Sequence, residues 1–159
     1  APTTADLSNG TLRAVLSSGS FVEGWAVYAE ELMIREGFRA GDHLYHLSQL
    51  KVLLRTITNA IIDQAIHVDG MSEQEMMRLL THTAFQEERE AAGKWRRAQL
   101  SFTQLSTYFV GYQEHLESRA AAEAAWGADF NLKRYHDGLL SFGSPPGRYA
   151  RALLLNEPI

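Results

Sequence analysis

Apolar residues recur every three or four positions through most of this chain, and this spacing limits its fold more than any other feature. In the stretch FVEGWAVYAEEL the repeat places Phe21, Trp25, Tyr28 and Leu32 on one helical face. A second stripe continues for about six turns, through Leu44, Leu47, Leu50, Leu54, Ile57, Ile61 and Ala65. No segment keeps the alternating pattern of a strand. The sequence therefore predicts an all-α, multi-helix array.

Capping residues and glycines mark the ends of these helices. Asp42 precedes the second stripe as an N-cap, and Ser72 with Glu75 forms a capping box. Gly127 closes a later long helix, and Gly143 ends the one that follows. No linker, repeat or change of composition separates the segments. We therefore predict that residues 1–159 form a single all-α region.

The distribution of apolar residues also bears on how the helices pack. The charged segment FQEEREAAGKWRRAQL is predicted to be an amphipathic helix with a solvated face and with Phe85, Trp95 and Leu100 turned inward. The helices that contain WAVYAEEL and VLLRTITNAIIDQAI are apolar on more than one side. We therefore predict that part of their covering layer lies outside this chain or in a homodimer interface.

Composition and charge exclude several classes of protein. Hydrophobic residues make up 45% of the chain and charged residues 21%, which is typical of a globular protein. A formal net charge of −4 gives no basic surface, so we predict no nucleic-acid partner. The absence of cysteine excludes disulfides and thiolate metal sites. No apolar run approaches the roughly 18 residues of a membrane-spanning helix, and APTTADLSNG lacks the features of a signal peptide.

Glu23 is the first candidate for chemistry, because it stands among apolar residues. A carboxylate in such a segment needs a hydrogen-bond partner, an opposite charge or a cation. Pairing with Arg13 or Lys51 would satisfy Glu23 without any function, whereas the functional alternative is a metal ligand or general base. Glu30 follows seven residues later on nearly the same helical face. Two carboxylates on one buried face would need a cation, a proton or arginines between them.

A second group of candidates lies further along the chain. Asp63 precedes His67 by four residues, so the two share a helical face and the carboxylate can fix the tautomer of the ring. The alternative is a partly exposed histidine favoured by the dipole at the helix C-terminus. Tyr108 and Tyr112 lie on one side of a later helix, with Gly111 between them. A glycine inside a helix predicts a close approach by another backbone or a ligand.

Several catalytic motifs are missing from the sequence. It has no HExxH, the metal-binding pair of zinc peptidases, and no ExxH of di-iron helical bundles. It has neither GxSxG nor GxxxxGK[ST], so neither a serine-hydrolase elbow nor a phosphate-binding loop is predicted.

Four stretches together resemble the C-terminal part of the DUF885 family: EGWAVYAEEL, IIDQAIHVDGMSEQE, QLSTYFVGYQEHLESR and FNLKRYHDGLLSFGSPP. The resemblance runs from Phe21 to Pro146. It implies a mostly bacterial, helical, gluzincin-type zinc peptidase, of which this chain is the C-terminal portion of a larger domain. The family's HExxGH segment, expected before EGWA in an N-terminal half, is missing here. The family's proline–glycine pair before the tyrosine segment is also replaced, by SFTQ.

The same resemblance implies roles for individual residues. Glu23 takes the place of the third zinc ligand, with Glu30 beside the metal or in contact with substrate. His67 takes the place of a histidine that acts on the scissile carbonyl, and Asp63 would orient it. Tyr108 is implied as a donor to the oxyanion. The resemblance also implies that Arg119 and His136 hold a substrate carboxylate, and we place Tyr112 beside the site or in contact with substrate.

These expectations lead to two functional hypotheses. The first is the C-terminal half of a zinc-dependent peptidase or amide hydrolase that acts on peptide-like substrates. Such a chain would be inactive without the HExxGH half, and the resemblance implies a periplasmic or other extracytoplasmic location. The alternative is a catalytically inactive helical binding module that kept the fold without the metal. A helical domain that senses small ligands is disfavoured, because the sequence offers no basic DNA-binding helix.

Overall fold

The computed structural model describes residues 15–159, and all regular secondary structure in that range is helical. The prediction of an all-α chain is therefore confirmed. The α-helices of this range are α1 (Gly19–Arg35), α2 (His43–Gln64), α3 (Glu73–Arg78), α4 (Glu88–Leu100), α5 (Thr107–Trp126), α6 (Leu132–Ser141) and α7 (Gly147–Leu155). Among these helices, none combines the length and apolar character needed to cross a membrane.

The helix boundaries follow the capping residues that the sequence predicts. The Asp42 side chain accepts a hydrogen bond from a backbone N–H in the first turn of α2, at 3.0 Å. Ser72 and Glu75 form both bonds of the capping box that starts α3. Gly127 and Gly143 have left-handed backbones, with φ of 51° and 81°. Each side-chain cap stabilises its helix by about 1 kcal/mol.

The chain divides into two compact units. Unit 1 contains residues 15–25 and 111–159 of the described range, and unit 2 contains residues 26–110. In unit 2 the core is formed by Ile62, Met76, Leu80, Ala91, Ala98 and Leu105. In unit 1 it is formed by Phe21, Ala122, Tyr135, Leu139 and Ala150. Whether residues 1–159 belong to a single domain stays a prediction.

The described residues leave much of the apolar stripe predicted along α2 uncovered, including Ile61 in its second half, which is 46% exposed. Leu44 and Leu47 are 77% and 63% exposed, whereas Thr56, Thr58 and Ile62 are buried. The core of unit 2 forms around Ile62, near the end of α2. The two threonines fit there because their hydroxyls donate to backbone carbonyls one turn earlier. Periodicity finds the apolar side of a helix but not what packs against it.

Two of the three inward positions predicted for the charged segment are also wrong. The helix begins only at Glu88, so Phe85 lies in the preceding turn with φ of 53° and is 68% exposed. Leu100 is the last residue of α4 and is 83% exposed. Trp95 packs against the core of unit 2, as predicted. A further inward position is taken by Lys94, which is buried.

In unit 1, helices α1 and α5 touch backbone to backbone. A Cβ atom on Gly111 would lie 1.8 Å from the carbonyl oxygen of Ser20, and one on Gly24 would lie 2.1 Å from the carbonyl carbon of Gly111. Real Cβ atoms never come so close, so only glycine fits at either position. The close approach predicted at Gly111 is therefore confirmed, and its partner is the EGWA segment that carries Glu23.

Candidate functional site

In unit 2, α2 ends in a π-helical turn, Ala65–Asp69, that carries His67. Gly70 ends this turn in the left-handed conformation, with φ of 73°. Single π-helical turns widen the backbone and are frequent at functional sites. The side chain of His67 therefore leaves the helix in a different direction from the one that a regular α-helical turn would give it.

Asp63 lies one turn before His67 and is deeply buried, with a side chain only 2% exposed. Its Oδ2 atom accepts two hydrogen bonds from Ser106, one from the backbone N–H at 3.0 Å and one from the hydroxyl at 2.7 Å. Ser106 directly precedes α5, so the carboxylate fixes the start of that helix. Within the described part of the chain, Oδ1 of Asp63 has no hydrogen-bond partner.

The orientation of His67 is set by backbone carbonyls. Its Nε2 atom lies 2.9 Å from the carbonyl oxygen of Ala98 and 3.0 Å from that of Ser101. Both carbonyls are acceptors, so Nε2 carries a proton and Nδ1 holds the lone pair of the neutral ring. Oδ1 of Asp63 lies 3.7 Å from Nε2 and makes no hydrogen bond to it. The tautomer is thus fixed by two backbone carbonyls and not, as predicted, by the carboxylate of Asp63.

A cavity of about 170 Å³ opens beside this pair. Asp63, His67, Phe102 and Ser106 are among its lining residues. The ring of Phe102 meets the His67 ring edge-on, with 5.0 Å between centroids. The exposed lining of the cavity is almost entirely apolar, and Oδ1 of Asp63 is itself buried, so the cavity suits an apolar group beside the His67 ring.

Tyr108 lies in the first turn of α5 and is half-buried. Its hydroxyl accepts a long hydrogen bond, 3.4 Å, from the side-chain amide of Gln104. Tyr108 lines a second cavity of unit 2, of about 320 Å³, which also contains Arg55 and Arg97. The structure therefore places Tyr108 and His67 in the walls of different cavities.

Lys94 lines the same second cavity, and the sequence does not predict it as a site residue. Its ammonium donates to Asn59 at 2.9 Å and to Gln86 at 2.5 Å. Burial lowers the pKa of Lys94 to about 8, and the nearby Glu90 carboxylate opposes that shift. Spacing along the sequence is the signal that could have indicated its burial, since Lys94 lies three residues after Ala91 and four before Ala98, both on the apolar face of α4.

The expectation that Glu23 and Glu30 share a buried face is wrong for Glu30. Glu23 is half-buried, but Glu30 is exposed and lines a shallow cavity of about 200 Å³. The buried positions of α1 are taken by Phe21, Val27 and Tyr28. Glu30 therefore needs no cation or proton to offset burial.

The remaining predicted site residues lie in unit 1. Arg119 donates through Nε to Glu123 at 2.8 Å, so this carboxylate occupies one edge of the guanidinium. The ring of His136 meets that of Trp25 edge-on, with 5.2 Å between centroids. Tyr112 is buried. Their predicted roles as neighbours of the site or substrate contacts stay predictions.

A zinc site needs at least three protein ligands. Across residues 15–159, no three histidine, aspartate or glutamate side chains come together in a metal-binding group. Of the zinc ligands that the resemblance implies, the sequence contains Glu23, whereas the HExxGH segment that would supply the others is absent from it. The described residues therefore do not make a zinc site by themselves, and no catalytic step through a metal follows from them.

His115 is the buried histidine of unit 1. Its Nε2 lies 2.9 Å from the carbonyl oxygen of Phe21, and its ring packs edge-on against those of Phe21 and Trp25. Burial lowers the pKa of His115 from its ordinary value of 6.5, and the hydrogen bond to Phe21 opposes that shift. The ring therefore stays neutral to a lower pH in the folded protein than in the unfolded chain.

We expect acidification below pH 6.5 to destabilise the protein through His115. Between the unfolded pKa and the lower native pKa the unfolded chain binds more protons, so the free energy of unfolding falls as pH drops, by at most about 1.4 kcal/mol per pH unit. Urea unfolding across this range measures the slope. His115→Gln should flatten it, whereas His43→Gln, at an exposed position, should leave it unchanged. Equal slopes in the two variants would contradict the assignment.

Comparison with known proteins adds structural neighbours. A solved structure described as "a putative lipoprotein of unknown function" from Shewanella oneidensis is 45% identical in sequence to this chain, with a TM-score of 0.84. The match covers 87% of this chain and 26% of the Shewanella protein chain. A "putative lipoprotein" from Colwellia psychrerythraea is 22% identical, with a TM-score of 0.88. This match covers 92% of this chain and 25% of the Colwellia protein chain. The second likeness shows the fold alone. The chain spans about a quarter of the length of either neighbour.

Nothing among the curated proteins matches this chain. A family described as "Bacterial protein of unknown function (DUF885)" matches residues 3–154, nearly the whole sequence. This match agrees with the four stretches that resemble the family. The chain belongs to the DUF885 family.

Proposed function

We propose that this chain is the C-terminal part of a zinc-dependent peptidase or amide hydrolase. The observation that supports this most is the arrangement of Asp63 and His67. The imidazole is held in one orientation by two carbonyls, and a buried carboxylate oxygen without a hydrogen-bond partner in the described range lies 3.7 Å away. An orphan oxygen in such a place costs stability, so it is typical of a functional site rather than of a plain helix junction.

In this proposal the doubly protonated ring of His67 keeps Nε2–H on the two backbone carbonyls and donates from Nδ1–H to the oxygen of the substrate carbonyl. Asp63 is a positioning residue, because it holds the start of α5 and lies beside the ring. Tyr108 lines a different cavity from His67, so in this proposal its hydroxyl turns away from Gln104 towards the cavity of His67 when it donates a hydrogen bond to the oxyanion. Glu23 is one zinc ligand, and the other ligands belong to an HExxGH segment outside residues 15–159.

The proposal extends to location and partners. The Shewanella oneidensis neighbour, which is 45% identical, is described as a "putative lipoprotein", and this description favours an extracytoplasmic location for this chain as well. The exposed leucines at the start of α2, Leu44 and Leu47, suit a covering layer. We assign that layer to the N-terminal half of the same domain, with a second copy of the chain as the alternative.

Zinc content tests this proposal in the full-length protein. We expect near-stoichiometric zinc in the dialysed wild type and a zinc affinity weaker by about tenfold or more in Glu23→Gln. Glu36→Gln, an exposed position just after α1, is the matched control and should keep its zinc. Elemental analysis gives the content, and release of peptide fragments gives the activity. A folded wild type without zinc or hydrolysis would leave the inactive binding module as the function.

A further inference from the structure

The cavity of about 320 Å³ in unit 2 is lined by more positive than negative charge. Arg55 comes from α2, and Lys94 and Arg97 come from α4, whereas Glu90 is the acidic residue of the lining. Its volume lies at the lower end of the range for small-molecule sites. Three cations around one carboxylate leave positive charge that a ligand can neutralise.

Lys94 is a built-in part of this cavity rather than a mobile surface lysine. It is 8% exposed and belongs to a polar network in which Gln86 also donates to Thr58, at 3.2 Å. Two of its three ammonium N–H groups donate hydrogen bonds to the side-chain oxygens of Asn59 and Gln86. Glu90 forms an ion pair with Lys94, with Oε1 3.8 Å from the ammonium nitrogen, so a ligand carboxylate would compete with Glu90 for the third proton.

The two arginines also keep donors for a ligand. Arg55 donates from Nη1 to Glu90 at 2.9 Å, and Arg97 donates from Nη2 to Gln104 at 2.9 Å. A guanidinium has five N–H donors in a planar fork, which matches the two oxygens of a carboxylate. With a pKa of about 8, Lys94 is mostly charged at neutral pH, facing Arg55, Glu90 and Arg97.

We propose that this cavity binds the free C-terminal carboxylate of a peptide substrate through Arg55, Lys94 and Arg97. The identity of the ligand as a peptide rests on the proposed function. Tyr108, the proposed oxyanion donor, lines the same cavity, so the carboxylate lies close to the bond that is cleaved. A cavity of this size holds one or two residues beyond that bond.

The substrate class is therefore peptides that end in a free carboxylate, from which the last one or two residues are removed. The C–N bond of the amide breaks as the oxygen of a water molecule joins the acyl carbon and a proton from that water joins the leaving nitrogen. The products are a shortened peptide with a new carboxylate and a free amino acid or dipeptide. Amidated peptides lack the charge that the three cations recognise, so they bind poorly.

A mixture of N-acetylated dipeptides with varied C-terminal residues, each as free acid and as amide, tests this inference. Equilibrium dialysis against the full-length protein, read by mass spectrometry, measures retention directly and needs no turnover. We expect about tenfold or greater preference for the free acids in the wild type. Arg97→Gln and Arg55→Gln should each reduce the preference severalfold. Arg96→Gln, an exposed neighbour on α4 outside the lining, should not.

The outcomes separate this inference from the proposed function. Equal retention of acids and amides, no retention of either, or an unchanged preference in Arg97→Gln would overturn the carboxylate site, even if hydrolysis is observed. Preferential retention of free acids without hydrolysis would support the site and count against the hydrolase. Circular dichroism of each variant excludes unfolding as the cause of lost retention.

Discussion

Replacement of Gly111 by alanine is expected to destabilise the protein by about 3 kcal/mol, the cost of forcing an extra carbon into a packed interior. The added Cβ would lie 1.8 Å from the carbonyl oxygen of Ser20 and 2.9 Å from Cα of Gly24. Both are backbone atoms of α1, so no side chain can rotate away to make room. Helices α1 and α5 would have to separate, and the contacts of the core of unit 1 near Phe21 would loosen.

The direction of this effect is diagnostic, because alanine is the better helix former. In an open helix interior the same substitution stabilises by about 1 kcal/mol. Gly93 in α4 is the matched control, since a Cβ there meets nothing within 4 Å. Urea unfolding of the full-length protein followed by circular dichroism compares the variants. We expect Gly93→Ala to raise the unfolding midpoint and Gly111→Ala to lower it, and a raised midpoint for Gly111→Ala would refute the close crossing.

This crossing explains why the EGWA motif contains a glycine beside its glutamate. Gly24 lets α1 approach α5, and Glu23 is the residue before it on a helix that cannot shift along its neighbour without a clash. Glu23 is therefore carried on a rigid element, which suits a metal ligand. A half-buried carboxylate on a mobile segment would not hold a fixed geometry.

Local chemistry in the sequence predicts the helices and their capped ends, but not the start of α4, which lies at Glu88 rather than at Phe85. Asp42 and the Ser72–Glu75 pair cap the helices at the positions expected, because a cap depends on residues three positions apart. Gly111 was predicted as a close approach for a similar reason, since a glycine inside a helix is unfavourable unless another group needs the space. In each case the signal and the structure lie within a few residues of each other.

The features of the candidate site that the sequence does not predict depend on contacts between residues that are far apart in the sequence. The carbonyls that hold His67 belong to Ala98 and Ser101, about thirty residues away, and any residue type has a carbonyl. The sequence does not predict the burial of Lys94, because lysine is rarely buried and only its partners Asn59 and Gln86, on other parts of the chain, make that burial possible. Side-chain identity therefore located Asp63 and His67 but could not supply the surroundings that give them a role.

We expect the second large effect, a loss in the free energy of unfolding, when the Asp63 carboxylate is removed. Asp63→Ala would leave the backbone N–H and the hydroxyl of Ser106 without their acceptor in a buried place, at a cost of about 3 kcal/mol in the free energy of unfolding. The start of α5 would lose its anchor, and Tyr108 would lose its fixed position. Asp69→Ala, at an exposed position six residues later, should change stability by less than about 0.5 kcal/mol.

Asp63→Asn separates the hydrogen bonds from the charge. Its amide oxygen can still accept from Ser106, so we expect it to keep most of the stability that Asp63→Ala loses. The negative charge 3.7 Å from His67 is gone in both variants, so hydrolysis should fall in both. Urea unfolding and a peptide-release assay on the same preparations give the two readouts. Full activity in a stable Asp63→Asn protein would show that Asp63 serves only to anchor α5, and the proposed role of the Asp63–His67 pair would then have to be abandoned.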